Sequence, residues 1–186
     1  HDWWLTNTRD IKTAPMVREP SPMDLQERED PSGSHFEAFN KSSIDPNNLT
    51  LTIDVTWLGP HETGAQVLTT AAIPAIANQP SIASIRLIGL DELPAYAAHL
   101  TDHSKVSLAT TPEQFEAQTD VIWYPNQIDQ RIDISQARQL GKRVITTYLD
   151  LIAYDIARYH GSPEGWSAYR GLQRKIALSV DGITTI

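Results

Sequence analysis

The sequence predicts an α/β domain in which a doubly wound, mainly parallel sheet of about six strands carries helices on both faces. An irregular N-terminal arm is expected to precede this domain. From residue 49 onward, short apolar runs alternate with stretches of helical periodicity, an order typical of parallel sheets with crossover helices. Several apolar runs are continuous rather than alternating, as expected for strands that are covered on both faces.

The expected elements follow one another in a regular order. Six apolar runs predict strands, over residues 49–58, 82–90, 106–109, 121–124, 143–148 and 182–186. Five stretches between them predict helices, over residues 64–78, 93–100, 112–118, 135–140 and 163–180. Ser135 and Gly141 are the expected N-cap and C′ residues of the fourth helix. Ser162 followed by Pro163 is expected to open the fifth helix.

The last predicted helix has two distinct faces. Leu172, Ile176 and Val180 recur at a spacing of four residues and predict a buried stripe. Arg170 and Arg174 share the same spacing and fall together on another face.

Residues 1–48 differ in composition from the rest of the chain. They hold five of the 12 prolines and nine acidic residues, without a sustained helical or strand period. We expect an extended, largely irregular arm or linker there, and the Rossmann-like domain over 49–186. The chain begins at His1 and ends at Ile186 within an apolar run, so we expect a piece of a longer polypeptide.

Bulk composition excludes several classes of function. The net charge of −8 and the isoelectric point of about 5.1 argue against a general nucleic-acid binder. The absence of cysteine excludes disulfides, thiolate metal sites and a cysteine nucleophile. No apolar run approaches the roughly 18 residues of a transmembrane helix, and no signal peptide is present, so we expect a cytoplasmic protein without a transmembrane segment.

The loop after the first predicted strand is the strongest functional signal. Gly59 and Gly64 bracket this loop, where glycine permits a positive φ and the close approach of a ligand to the backbone. A helix that starts at about Gly64 leaves unpaired N–H groups, which suit a phosphate or another anion. The alternative is a helix-capping turn without a ligand. No G-x-G-x-x-G and no G-x-x-x-x-G-K-[ST] occurs, which makes an NAD-dependent dehydrogenase the least favoured class and excludes a Walker-type loop.

Polar side chains follow three of the predicted strands. His61, Glu62 and Thr63 come after the first strand, Asn126 after the fourth and Asp150 after the fifth. The carboxyl ends of parallel strands meet at one edge, where open α/β sheets bind ligands. An imidazole, carboxylates and amides at this edge predict a cleft for a sugar or a nucleotide. The alternative is that Asn126 and Asp150 only cap their loops.

Metal binding has weak support in the sequence. His99 and His103 have the i, i+4 spacing of metal ligands, but the glutamate of H-E-x-x-H and a third ligand are missing. We therefore predict no metal site.

Five segments together resemble a known family. In chain order they are Trp57-Leu-Gly-Pro-His-Glu-Thr-Gly-Ala-Gln-Val67, Val121-Ile-Trp-Tyr-Pro-Asn126, Lys142-Arg-Val-Ile-Thr-Thr-Tyr-Leu-Asp-Leu151, Trp166-x-x-Tyr-Arg170 and Val180-Asp-Gly-Ile183. This series, over about residues 50–186, resembles the N-terminal Rossmann-like domain of GT-B glycosyltransferases of the group 1 type, which retain the anomeric configuration.

The resemblance implies specific roles for residues of this chain. It implies an acceptor-side domain whose missing C-terminal partner domain holds the nucleotide-sugar donor. Gly59, Thr63 and Gly64 would form a loop near the donor diphosphate. The acceptor or the transferred sugar would contact a second group of residues, which comprises His61, Glu62, Asn126 and Asp150. Transfer would need no metal and no cofactor, and the resemblance assigns no catalytic residue.

Two hypotheses therefore stay open. The first is the acceptor-side domain of a glycosyltransferase, inactive as this fragment, which acts on a nucleotide-sugar and a glycan or small hydroxyl acceptor. The second is a stand-alone α/β module that binds a nucleotide, a sugar or a partner without catalysis, since a fold alone does not imply a function.

Overall fold

The computed structural model describes residues 44–111, 114, 117–129 and 132–185. The predicted arm over residues 1–48 therefore lies almost wholly outside the described residues. The same holds for four positions of the predicted helix over 112–118.

All six predicted strands are present and form one sheet. They are β1 (Leu49–Asp54), β2 (Ile82–Ile88), β3 (Val106–Leu108), β4 (Thr119–Tyr124), β5 (Gly141–Tyr148) and β6 (Gly182–Thr185). The order across the sheet is β3-β2-β1-β4-β5-β6, and every neighbouring pair is parallel. The predicted doubly wound, Rossmann-like parallel sheet is thus confirmed.

The helices agree with the prediction in most places. Four α-helices lie in the described residues: α1 (Gly64–Ala77), α2 (Ile134–Leu140), α3 (Ile152–Asp155) and α4 (Pro163–Ser179). The predicted helix over 93–100 is a 3₁₀ helix, Ala95–Asp102. The four-residue α3 and a second 3₁₀ turn, Ala157–His160, were not predicted, because a single turn is too short to show an apolar period.

Two apolar clusters cover the two faces of the sheet. The first joins β1 and β2 to Ile73 of α1 and to Leu100 of the 3₁₀ helix. The second joins β4 and β5 to Ala137 of α2 and to Ile176 of α4. Successive residues of β4 belong alternately to the two clusters, as the pleat of a strand requires. Helices therefore cover both faces, which agrees with the continuous apolar runs in the sequence.

The ends of α2 differ from the expectation. Asp133, not Ser135, is its N-cap residue, and the Asp133 side chain accepts a hydrogen bond from the Ser135 N–H at 2.8 Å. Gly141 does not adopt the left-handed C′ conformation, because its φ is −143° and it begins β5. A Cβ atom at Gly141 would lie 2.5 Å from the backbone nitrogen of Ile122. The close packing of β5 against β4 therefore leaves no room for a side chain at position 141.

Helix α4 begins and packs as predicted. The Ser162 hydroxyl accepts a hydrogen bond from the Gly165 N–H at 3.0 Å, and Pro163 occupies the first turn. Leu172, Ile176 and Val180 contribute to the second apolar cluster. This packing orients α4, and with it the opposite face that carries the arginines.

Two carboxylates join the strands at the amino edge of the sheet. Asp120 of β4 accepts hydrogen bonds from the N–H and the hydroxyl of Thr50 in β1, at 3.0 and 2.8 Å, and pairs with Lys142 of β5 at 2.8 Å. Asp181, just before β6, pairs with Arg138 and with Arg143, each at 3.0 Å. These contacts tie four of the six strands together at the edge opposite the carboxyl ends of the strands.

Candidate functional site

The carboxyl ends of the six parallel strands define one edge of the sheet. Strand order reverses between β1 and β4, which are hydrogen-bonded neighbours. The loops that follow these two strands therefore diverge to opposite faces and leave a crevice, which is where open α/β sheets bind ligands. The loop after β1, residues 55–63, leads directly into α1.

The loop after β1 exposes two of the predicted phosphate-binding residues, Thr63 and Gly64, whereas Gly59 is half-buried. Residues 61–64 are exposed, and α1 begins at Gly64 as expected. Thr63 is the N-cap residue, but no side chain caps the helix and its first turn holds no acidic residue. The hydroxyl of Thr63 instead donates to the side-chain oxygen of Gln66. The side-chain amide of Gln66 donates to the Trp57 carbonyl at 2.8 Å and so ties the loop to the helix.

The positive φ proposed to explain Gly59 and Gly64 is absent at both positions. Neither has a positive φ, since Gly89 and Gly161 are the glycines of the described residues that do. A Cβ atom added at Gly59 or at Gly64 would meet nothing within 4 Å. The fold therefore does not require glycine at either position. The prediction that a ligand approaches the backbone there stays a prediction.

Gly89 is the glycine that this edge requires, and the sequence analysis missed it. It follows β2 with a φ of 100°, and its Cβ would lie 2.0 Å from the hydroxyl oxygen of Thr56. The loop after β2 can therefore pass close to the loop after β1 only because Gly89 has no side chain. The signal in the sequence was a glycine placed directly behind an apolar strand.

Asp54 and Tyr124 end the two strands that flank the crevice, and the sequence analysis missed both. Asp54 accepts a hydrogen bond from the Thr56 N–H at 2.9 Å and makes no ion pair with a described residue. Burial raises the pKa of Asp54. Burial, and then the negative charge of Asp54, raise the pKa of Tyr124. A carboxylate without a cation is thus placed where it can accept hydrogen bonds from ligand hydroxyls.

A groove of about 510 Å³ adjoins the loop after β1. Its lining is mainly apolar, with Leu58, Leu90 and Leu93 as the largest side chains. Tyr96 donates a hydrogen bond from its hydroxyl to the Gly59 carbonyl at 2.9 Å, which fixes the loop over the 3₁₀ helix. Of the predicted site residues, Gly59 alone lines this groove.

Asn126 and Asp150 both cap the loops in which they lie. Asn126 Oδ1 accepts a hydrogen bond from the Gln127 N–H at 3.0 Å, and Asp150 Oδ1 accepts one from the Ile152 N–H at 2.8 Å. Both loops act on Tyr169 of α4, one through a hydrogen bond and the other through its charge. Gln127 donates to the Tyr169 hydroxyl at 2.9 Å, and burial followed by the charge of Asp150 raises the pKa of Tyr169. Tyr169 is therefore the residue that links the loops of Asn126 and Asp150, while His61 and Glu62 lie in the separate loop after β1.

Metal ligands do not gather in the described part of the chain. No group of three or more His, Cys, Asp or Glu side chains there is arranged to hold a metal ion. Both ring nitrogens of His103 are used within the fold, since Nδ1 accepts from the Lys105 N–H at 3.2 Å and Nε2 contacts Asn78 Oδ1 at 3.3 Å. His103 therefore has a structural role in the turn before β3.

In the residues that the structure describes, no helix is both long and apolar enough to cross a membrane. Comparison with known proteins adds no identification: the chain matches no family model, and neither a curated protein nor a solved structure is significantly similar to it.

Proposed function

We propose that this chain is the acceptor-side domain of a two-domain, retaining glycosyltransferase of the GT-B type. The observation that carries the proposal is the start of α1. This helix begins at Gly64, at the end of the loop that follows β1, where the strand order reverses. Gly64 is exposed, and no described side chain caps the helix. Such a helix terminus stabilises the negative charge that develops on a diphosphate leaving group.

The proposal assigns each predicted residue a position relative to the ligands. Gly59, Thr63 and Gly64 contact the donor diphosphate, which a second domain of the same protein presents. The open space at Gly64, where a Cβ atom would meet nothing within 4 Å, supports this assignment because a phosphate group has room to approach the backbone.

The acceptor cleft follows from the remaining polar groups at the same edge. His61 and Glu62 lie on the donor side, and Asn126 and Asp150 lie around Tyr169 on the other side. Asp54 ends β1 at this edge and adds a carboxylate that can accept a hydrogen bond from a hydroxyl group. Carboxylates, amides and an imidazole suit a glycan or a small hydroxyl acceptor, and the transfer needs no metal.

The alternative is a module that binds a nucleotide, a sugar or a partner without catalysis. The capping contacts of Asn126 and Asp150 favour it, because these contacts give both residues a structural role that needs no substrate. The two hypotheses differ in whether a nucleoside diphosphate is formed.

The deciding experiment measures nucleoside diphosphate release by the parent polypeptide with a panel of UDP-, GDP- and ADP-sugars, in the presence of candidate glycan acceptors. We expect release with one class of donor, and none from the 186-residue chain alone. If no donor supports release, the transferase proposal fails and the binding module takes its place.

Gly64→Val tests the donor loop within the active parent. The added side chain meets open space in the fold but would occupy the approach to the helix N–H groups, so we expect turnover to fall by about hundredfold. The matched control is Gly171→Val, at an α4 glycine where an added Cβ also meets nothing within 4 Å. Equal turnover in the two variants would remove the loop from the donor site.

A further inference from the structure

Two arginines of α4 converge on one tyrosine of α3. We call Tyr154, Trp166, Arg170 and Arg174 the arginine cluster. Arg174 Nε donates a hydrogen bond to the Tyr154 hydroxyl at 2.9 Å. The guanidinium carbon of Arg170 lies 4.7 Å from the ring centre of Tyr154 and 4.8 Å from that of Trp166, within the range of cation–π contacts. The function proposed above uses none of these four residues.

Backbone contacts hold the cluster in place. Trp166 Nε1 donates to the Tyr154 carbonyl at 2.8 Å, and His160 Nε2 donates to the Ala153 carbonyl at 2.7 Å. The rings of His160 and Tyr169 lie 4.6 Å apart. Two successive carbonyls of α3 are therefore tied to the segment that leads into α4 and to α4 itself. A ligand would meet donors that are already oriented.

The cluster carries two positive charges without a carboxylate. The three ion pairs between described residues involve Asp120 and Asp181 at the opposite edge of the sheet, and none includes Arg170 or Arg174. The Nε of Arg170 is buried and has no hydrogen-bond partner among the described residues. Like charges four residues apart on a helix repel each other. An anion would remove this repulsion and accept hydrogen bonds from the guanidinium groups.

The donors match the oxygens of a phosphate group. The Tyr154 hydroxyl accepts from Arg174, so its own proton is available for a ligand oxygen. The hydrogen bond from Arg174, aided by Arg170 and opposed by burial, lowers the pKa of Tyr154, which makes this hydroxyl a stronger donor. Planar guanidinium groups bind phosphate oxygens through parallel hydrogen bonds.

We propose that the arginine cluster is a binding site for a phosphate monoester, with Arg170, Arg174 and Tyr154 as the hydrogen-bond donors. A monoester carries close to two negative charges at neutral pH, which balances the two guanidinium groups. The net charge of −8 opposes the approach of a polyanion such as a nucleic acid, so the ligand is a single phosphate group. The site does not depend on whether the protein transfers a sugar.

Calorimetric titration of the full chain tests the site with two probes, inorganic phosphate and glycerol 3-phosphate, at constant ionic strength in chloride. We expect saturable binding of both probes. Arg174→Gln should weaken the binding by at least about tenfold, because it removes a charge-assisted hydrogen bond to the phosphate group. The matched control is Lys175→Gln, which removes the same charge from the adjacent exposed position and should leave the affinity unchanged.

Vesicles identify the source of the phosphate group. One set contains phosphatidylcholine alone and the other adds phosphatidic acid, whose headgroup is a phosphate monoester. Binding to the second set that Arg174→Gln abolishes and Lys175→Gln preserves would identify a lipid headgroup, whereas binding of glycerol 3-phosphate alone identifies a soluble ester.

The proposal is overturned if the wild-type chain binds none of these probes, or if both substitutions weaken the binding equally. Circular dichroism verifies that the variants fold. Arg174→Lys provides a second test, because lysine keeps the positive charge but lacks the planar guanidinium group. These titrations involve no nucleotide-sugar, so a failure of donor hydrolysis in the parent would leave their result unchanged.

Discussion

Two glycines at the carboxyl edge of the sheet have different roles. Gly89 has a φ of 100° and almost touches Thr56, whereas Gly64 has open space around it. We expect Gly89→Ala to lower the free energy of unfolding by about 2–4 kcal/mol, because a backbone penalty of about 1–2 kcal/mol adds to the cost of overpacking. Urea denaturation measures this change. Gly64→Ala is the control and should be nearly neutral, so a similar loss in both variants would contradict the structural assignment.

Asp54 makes the free energy of unfolding fall as the pH rises, which is opposite to the usual effect of a carboxylate. Burial raises its folded-state pKa above the ordinary value of 3.8, so the folded protein binds this proton more readily than the unfolded chain does. Its contribution to stability is therefore present below pH 3.8 and is lost as the pH rises through the raised pKa.

We accordingly expect Asp54→Asn to be more stable than the wild type at pH 7, with a difference that shrinks as the pH is lowered and disappears below 3.8. Asparagine keeps an oxygen that can accept from the Thr56 N–H, so the turn should persist. Urea midpoints measured from pH 3 to pH 8 provide the comparison. A difference between the two proteins that stays constant over this range would show that Asp54 does not titrate with a raised pKa.

At the scale of the element, we expect the N-cap of α4 to contribute measurably to the free energy of unfolding. The Ser162 hydroxyl satisfies the Gly165 N–H, and its removal should lower the free energy of unfolding by about 1 kcal/mol. Ser162→Ala, followed by thermal or urea unfolding, tests this. Ser167→Ala is the matched control at an exposed position inside the same helix, where alanine should be neutral or slightly stabilising. Equal effects would exclude a capping role.

The elements also show which parts of the structure the sequence could predict. Each of the six strands has an apolar run that marks it, and Ser162 with Pro163 marks the start of α4. The single turn of α3 has no such period. The N-cap of α2 was assigned to Ser135, because Asp133 and Ser135 are both good caps and local preference does not separate them.

The candidate site was predicted less completely than the fold. Loop residues after a strand, such as His61 and Asp150, could be placed at the carboxyl edge from topology alone. The effect of the Asp54 charge on the pKa of Tyr124 depends on β1 and β4 being neighbours, although the two strands are distant in sequence. The contact of Arg170 with Tyr154 depends on how α4 packs on α3. Such contacts are set by tertiary structure, and neither periodicity nor spacing in the sequence reports them.

At the scale of the whole molecule, the two edges of the sheet differ in whether their charged side chains form ion pairs. At the carboxyl edge, Asp54 and the arginines of the arginine cluster form no ion pair with a described residue, whereas the amino edge holds the ion pairs of Asp120 and Asp181. Burial acts to raise the pKa of Asp120, but hydrogen bonds from Lys142 and Thr50 outweigh it and lower the pKa. For Asp181 burial is likewise outweighed, in this case by the Val144 N–H and by Arg143 and Arg138.

We therefore expect acid to destabilise the protein by protonating Asp120 and Asp181 at the amino edge of the sheet. A depressed folded-state pKa contributes stability that is complete above the unfolded value of 3.8 and is lost as the pH falls below it. We expect Asp120→Asn with Asp181→Asn to be less stable than the wild type at pH 7 and to show a shallower loss of stability between pH 4 and pH 2. Urea midpoints across this range measure the slope. Asp155→Asn, an exposed carboxylate outside both networks, is the control. A slope unchanged in the double variant would mean that other carboxylates govern acid unfolding, and that the ion pairs at this edge orient the strands without linking stability to pH.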